Sequence, residues 1–432
     1  MRSGIKRLAY VVVPMVAMVG LASLIPAEQA PLPKSAEVQS TQRFVCPAIS
    51  GEAGQLRVIG DGSGNLISGP IGDDRTSIPL GDTVLDQITE TYLLTTDDPS
   101  GKLAAGYGLA GAERQIWGAC SSVSNQQTLV FTSGNGTVLR LVNPTSVESM
   151  VNVTIDTPEG EQPVPELLDI RLPANSTTEV DFGQLVNGDG VKSVRIQATD
   201  GQFSAYAVRT FDPGAEIITP SATAKELVIP VAPGGASETK LILSNQSASR
   251  TVAAISIIGS DGTFIPDGGT ELSVEAGRTR EIDLSAAVLS NPVAIRITSQ
   301  DPISATLESW VGNDYAAIPS ESFSQNLRTR QLAVPVSGSG KVVLANPSLV
   351  EMEVVLRWDD LSEERLIPAS STVSFDIPAG ATTLRVNQEG QLIGGLIIGG
   401  DGSGLAVAPL QLHDVVTSSI PIRVEPRLGS GR

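Results

Sequence analysis

The sequence predicts an all-β protein: tandem immunoglobulin-like β-sandwich modules behind a single N-terminal membrane helix. Three observations carry that prediction. A seventeen-residue phrase of alternating apolar and polar residues occurs three times, about 100 residues apart. Turn formers are abundant, with 43 Gly and 28 Pro among 432 residues. One apolar stretch, at the N-terminus, is long enough to cross a bilayer.

That stretch is Leu8 to Ile25, eighteen uncharged residues preceded by Arg2, Lys6 and Arg7. Basic residues stay on the cytoplasmic side, so the bulk of the chain is expected outside the cytoplasm. Eighteen helical residues reach about 27 Å at 1.5 Å each, close to the hydrocarbon thickness. Residues 1–27 therefore read as a signal anchor or signal peptide. Ile25, two places before Ala27, fits a small-x-small cleavage site poorly, which favours the anchor. Residues 28–43, rich in proline and polar side chains, read as a linker.

Residues 44–125 read as a disulfide-closed β-rich domain. It is glycine-rich, and Val84 to Leu93 is its one helix-like run. Cys46 and Cys120 bracket it. In an exported chain such a pair forms one disulfide. Two cysteines and the single His413 do not make a four-ligand soft metal site.

The repeated phrase begins at Leu139, Leu241 and Val342. Leu141, Leu243 and Leu344 match across the copies, as do Val153, Ile255 and Leu356. Arg140, Ile242 and Val343, between the matched positions, are mixed. One strict face and one lax face describe strands packed on one side, here as a strand–turn–strand unit. Asn143, Asn245 and Asn346 fall at the turn, where Asn bonds its own backbone. Downstream, Asp181, Asp283 and Asp376 recur at the end of another strand, each seven residues after an alanine. They read as turn or edge residues. A period near 100 is too long for a solenoid and suits a seven-stranded sandwich. The modules are bounded at 126–218, 226–312 and 330–415, with a C-terminal tail at 416–432. The third has a loop trimmed by eight residues.

Formal charge is −18, from 29 Lys plus Arg against 47 Asp plus Glu, which disfavours nucleic acid and anionic surfaces as partners. His413 sits in an alternating strand pattern. "GDGSGNL" (Gly60 to Leu66) and "GGDGSGL" (Gly399 to Leu405) lack the alternating acids of a calcium loop and read as tight hairpin turns. There is no nucleophile elbow, phosphate loop or metal-binding helix signature. No cofactor is implied.

"FVCPAI", "GYGLAGAERQIWGAC" and "LRLVNPTSVESMVNVTIDTPEG", in this order behind an N-terminal membrane segment, resemble a family of exported actinobacterial proteins of unknown function. The chain departs from that family in having "TLVF" where a Trp-rich stretch follows the second cysteine. The resemblance implies a Gram-positive cell envelope. The expected function is a non-enzymatic, envelope-anchored or secreted interaction or scaffold protein with an envelope protein or polysaccharide as partner. The alternative is an enzyme, or enzyme accessory, that acts on envelope polysaccharide through a carboxylate cleft between modules.

Overall fold

A computed structural model describes residues 36–422 apart from 41–42, 99–100, 111–114, 187–189, 213, 324–329, 337, 389, 400–403 and 413–417. The apolar segment Leu8 to Ile25 and His413 lie outside these residues. Among the described residues no helix is long and apolar enough to cross a membrane. The architecture is nearly all β. One helical turn, Phe182–Leu185, and one 3-10 turn, Pro165–Leu167, are the helical elements described.

The chain divides into two units. In the smaller, Ala36–Ser40 pairs antiparallel with Ser418–Ile422, so strands occur in both the linker and the tail read from sequence. The larger unit, 41–417, holds everything else.

In the first repeat, the first strand (Gln126–Ser133) pairs with the sixth (Gly190–Asp200), and the sixth with the third (Ser149–Thr157). Short fourth-strand pieces, Gly160–Gln162 and Ile170–Leu172, extend this front sheet. The back sheet runs fifth (Ser176–Asp181), second (Thr137–Asn143), seventh (Ser204–Thr210), eighth (Ala215–Ile218). Leu129 and Ile196 from the front share one core with Leu139, Leu141 and Ala205 from the back. The phrase at Leu139 is therefore an arch between opposite sheets, not a hairpin. The order also departs from the immunoglobulin one, which groups the first strand with the second and the seventh with the sixth. Here those two strands have exchanged sheets.

Repeats two and three keep this pairing. In repeat two the sixth and seventh strands run on as one, Val293–Val311, which pairs with the first strand at one end and the second at the other. That strand and a single parallel bridge, Thr157 to Arg278, link the sheets of repeats one and two into a 14-stranded network. In repeat three the interrupted fourth strand becomes one piece, Leu361–Ile367, which pairs along the whole of Met352–Trp358. Repeat three has no counterpart of the interruption that spans residues 163–169 in repeat one and 265–271 in repeat two.

The segment from residue 44 to 125 is a fourth copy, which the sequence reading missed. Its front sheet runs Arg43–Cys46, Tyr92–Thr96, Asn65–Pro70, Thr76–Pro79, and its back sheet Thr83–Ile88, Gly54–Asp61, Lys102–Ala110, Gln115–Ala119. The helix expected over Val84 to Leu93 is absent. Val84 and Leu85 pair with Arg57 and Leu56, and a bulge with Gln87 at φ 59° absorbs the odd residue. Tertiary pairing overrides the weak helical propensity of this run. "GDGSGNL" is likewise a corner between sheets, with Gly62 and Gly64 at φ 117° and 101°. In "GGDGSGL", Gly399 pairs with Leu405, and the residues between lie outside those described.

The four modules close on themselves. Val142 and Val208 of repeat one's back sheet join Val45 and Leu94 of the N-terminal module's front sheet. Ile242 of repeat two packs on Val130 and Val191 of repeat one. Ala345 and Ile393 of repeat three pack on Val228 and Ala294 of repeat two. Ala333 of repeat three meets Ile59 and Ala104 of the N-terminal module, which completes the circle. Each back sheet thus lies on the preceding module's front sheet, a head-to-tail contact that closes after four steps. This explains the lax face of the repeated phrase: Arg140, Ile242 and Val343 are all buried, against the neighbouring module rather than their own core.

Candidate functional site

The eighth strands are the inner edges of the back sheets, and each neighbours the eighth strand of the next module around the axis. Beyond them the chain turns and pairs back onto its own first strand: Ser121 with Val45, Glu321 with Val228, Gln411 with Ala333. In repeat one Ser221 donates its N–H to Thr128 O at 2.8 Å instead. These turns surround an axial cavity of about 290 Å³ to which all four modules contribute. Trp117, Ile217, Ala317 and Val407, one from each eighth strand, give it an apolar wall, and Ser121, Thr219, Glu321 and Gln411 give it polar groups. The Trp117 indole N–H is buried and has no partner among the described residues.

The four equivalent turn residues do not behave alike. Ser121 Oγ lies 2.8 Å from Ser204 Oγ, and Ser221 Oγ lies 2.8 Å from Thr306 Oγ1. Gln411 both accepts from and donates to the Ala105 backbone, at 3.0 Å each. In all three the partner sits on the seventh strand of the next module. Glu321 is the exception. The position equivalent to Thr306 is Gly395, since each pairs with the residue three before its arch asparagine. Gly395 offers no side chain, and a Cβ there would lie 2.6 Å from Ala408 O. Among the described residues the Glu321 side chain has no hydrogen bond. Burial alone pushes its carboxyl up to about 7.

Two further acids line the other stretch of the axis. Glu216 Oε1 accepts from Ala317 N at 3.2 Å, and burial holds its carboxyl well above the usual range. Asp314 Oδ2 accepts from Leu405 N at 2.6 Å and from Gln115 N at 3.4 Å, which joins three modules at one carboxylate. Nearby, Glu308 takes the Thr132 N–H at 2.6 Å and the Tyr315 hydroxyl at 2.5 Å. Sequence reasoning missed these groups. Their signal was a lone acid inside an apolar strand, as in "AEII" and "DYAAI".

Apart from Cys46 and Cys120, which are joined and of which Cys120 lines the cavity, the residues picked from sequence lie elsewhere and are not brought together. Asn143 Nδ2 donates to Val147 O at 2.8 Å and Leu172 O at 3.0 Å, while its Oδ1 accepts from Thr145 N and Oγ1. Asn245 and Asn346 repeat this pattern with Ser247 and Ser348, and all three are fully buried. The hydroxyl two places after each Asn was the unread half of the motif. Asp181, Asp283 and Asp376 end the fifth strand, the sheet edge opposite the axis, and are exposed. Asp181 accepts from Gln184 N at 3.2 Å as a helix cap, and Asp283 accepts from Ser285 N at 2.9 Å in a turn. The hydrogen bonds from Ser285 hold the Asp283 carboxyl below its ordinary value. Cys46 and Cys120 form a disulfide across 74 residues. Among the described residues no cluster of three or more His, Cys, Asp or Glu could hold a metal.

Residues 95–387 match the model of a family of unknown function (DUF5719), and the chain belongs to that family. No curated protein matches it. Among solved structures, an α-L-rhamnosidase from Streptomyces avermitilis, complexed with L-rhamnose, is similar at 9% identity over 88% of this chain and 55% of that one, with a TM-score of 0.15. A Ca²⁺-stabilized adhesin with which an Antarctic bacterium binds ice is similar at 12% identity over 87% of this chain and 100% of that one, with a TM-score of 0.12. The chain thus spans about half the length of the rhamnosidase. TM-scores this low carry no argument about fold or activity.

Proposed function

We propose that the protein is a non-enzymatic interaction or scaffold protein of a Gram-positive cell envelope, held to the membrane by Leu8 to Ile25 or secreted. The observation that carries this reading is the distribution of acids around the cavity to which all four modules contribute. Hydrolysis of a glycosidic bond needs two carboxyls facing one another across a concave site. Glu321 is the single carboxyl in the cavity lining, and the three repeated aspartates stand apart at outer sheet edges. Export is supported by the Cys46–Cys120 disulfide, which persists in oxidising compartments. A rigid closed body suits the presentation of loops to an envelope protein or polysaccharide.

Co-sedimentation of the full chain with purified envelope, alongside an assay for newly released reducing ends, tests the reading. Saturable binding with no release above the blank is the expected result. Release that tracks the amount of protein would replace it with the enzymatic alternative.

A further inference from the structure

The axial cavity carries a ligand assignment that goes beyond the scaffold reading and does not depend on it. Three of the four equivalent turn residues spend their polar atoms on the next module: Ser121 on Ser204, Ser221 on Thr306, Gln411 on Ala105. The fourth position bears a carboxyl, Glu321, and faces a strand whose matching residue is Gly395. The cavity lining includes no Lys, Arg or His, so Glu321 is its one ionisable group. Glu321 is half-buried, and a carboxylate without donor or counter-charge in an otherwise neutral, largely apolar cavity is a ready counter-ion for a cation that enters it. The missing complement is a positive charge that brings its own N–H donors, on a body that suits apolar walls. An ammonium supplies up to three donors and the charge together.

We propose that the axial cavity binds a small organic cation, a primary ammonium on a compact apolar body, with the Glu321 carboxylate as its counter-ion and Trp117 in the wall beside it. A volume of about 290 Å³ admits one such molecule. The carboxyl that titrates at about 7 when the cavity is empty must ionise to bind, so near neutral pH occupancy releases protons.

The test uses the full chain, with cyclohexylammonium as the probe and cyclohexanol as its neutral match, followed by calorimetry and by the Trp117 indole N–H signal. Cyclohexylammonium should bind saturably and shift that signal, with cyclohexanol about tenfold weaker or more. Glu321→Gln, which keeps shape and removes charge, should weaken the cation about tenfold and leave cyclohexanol unchanged. For the wild type, affinity for the cation should fall about tenfold or more from pH 8 to pH 5. The pH series needs no variant, so it stands if Glu321→Gln does not fold. Equal binding of the two probes, binding indifferent to Glu321 or to pH, or no binding by either probe would each overturn the proposal.

Discussion

The N-terminal module and the three repeats reach one strand order by different local chemistry. In the repeats a buried asparagine fastens the arch between the second and third strands, with its side chain bonded to the arch backbone and to the end of the fourth strand. The N-terminal module has no such asparagine. Its arch is shortened to a glycine corner, held from outside by Asp97, which accepts from Asn65 N at 2.6 Å and Nδ2 at 2.8 Å. Its covalent staple sits at the opposite edge, between the first strand and the turn after the eighth. The shared feature is therefore the pairing order. The fastening is interchangeable.

The largest test of that comparison removes the disulfide. Under an entropic account, loss of a cross-link over 74 residues costs about 4–5 kcal/mol. A Cys46→Ser, Cys120→Ser chain should shift the denaturant midpoint of the whole closed body. A shift confined to one early transition, with the repeats unaffected, would mean that the modules fold independently. Next, Asn143→Ala, Asn245→Ala and Asn346→Ala should each cost about 3 kcal/mol, because buried carbonyls lose their donor. Near-equal losses in denaturant melts would sharpen the equivalence of the repeats.

Smaller is the pH effect of Glu321. Its folded pKa lies above the ordinary carboxyl value, so between about 4.5 and about 7 the native state holds more proton than the unfolded one. Stability contributed by this group is therefore present at low pH and lost as pH rises through that window. Glu321→Gln should flatten this slope and stabilise the protein by about 1 kcal/mol above pH 7, after allowance for solvent at the cavity mouth. A steeper slope in the variant would contradict the sign. The smallest effects belong to Asp181→Asn, Asp283→Asn and Asp376→Asn. Asn keeps the acceptor, so each should change stability by about 0.5 kcal/mol or less. Complementation of a deletion strain by all three variants checks that these acids are structural.

Much of the fold was legible because the repeats restate it. Alternation gave the strands, and the buried asparagines marked the arches. What alternation cannot carry is which strands pair, so the strand–turn–strand unit did not show that its two strands lie in opposite sheets, and the exchange of first and seventh strands stayed hidden. The N-terminal copy was invisible for a related reason: it shares topology with the repeats but not their asparagine phrase. The axial groups were illegible individually. Glu321 is an unremarkable acid in "IPSES" until Gly395, 74 positions later, is seen to withhold a partner.

Closure of the circle also sets an order in time. The last seam joins Arg57 to Val336 O, Arg385 to Asp82 and Gln411 to Ala105, contacts separated by 279, 303 and 306 residues. A chain that emerges N-terminus first completes its first module long before the third repeat exists. Until then Ile59 and Ala104 remain without Ala333, the residue that covers them in the finished body. Slow, long-range closure of this kind leaves an apolar sheet face open to strangers. The newborn chain must therefore be shielded, or must finish quickly, during the interval between its first strand and its last.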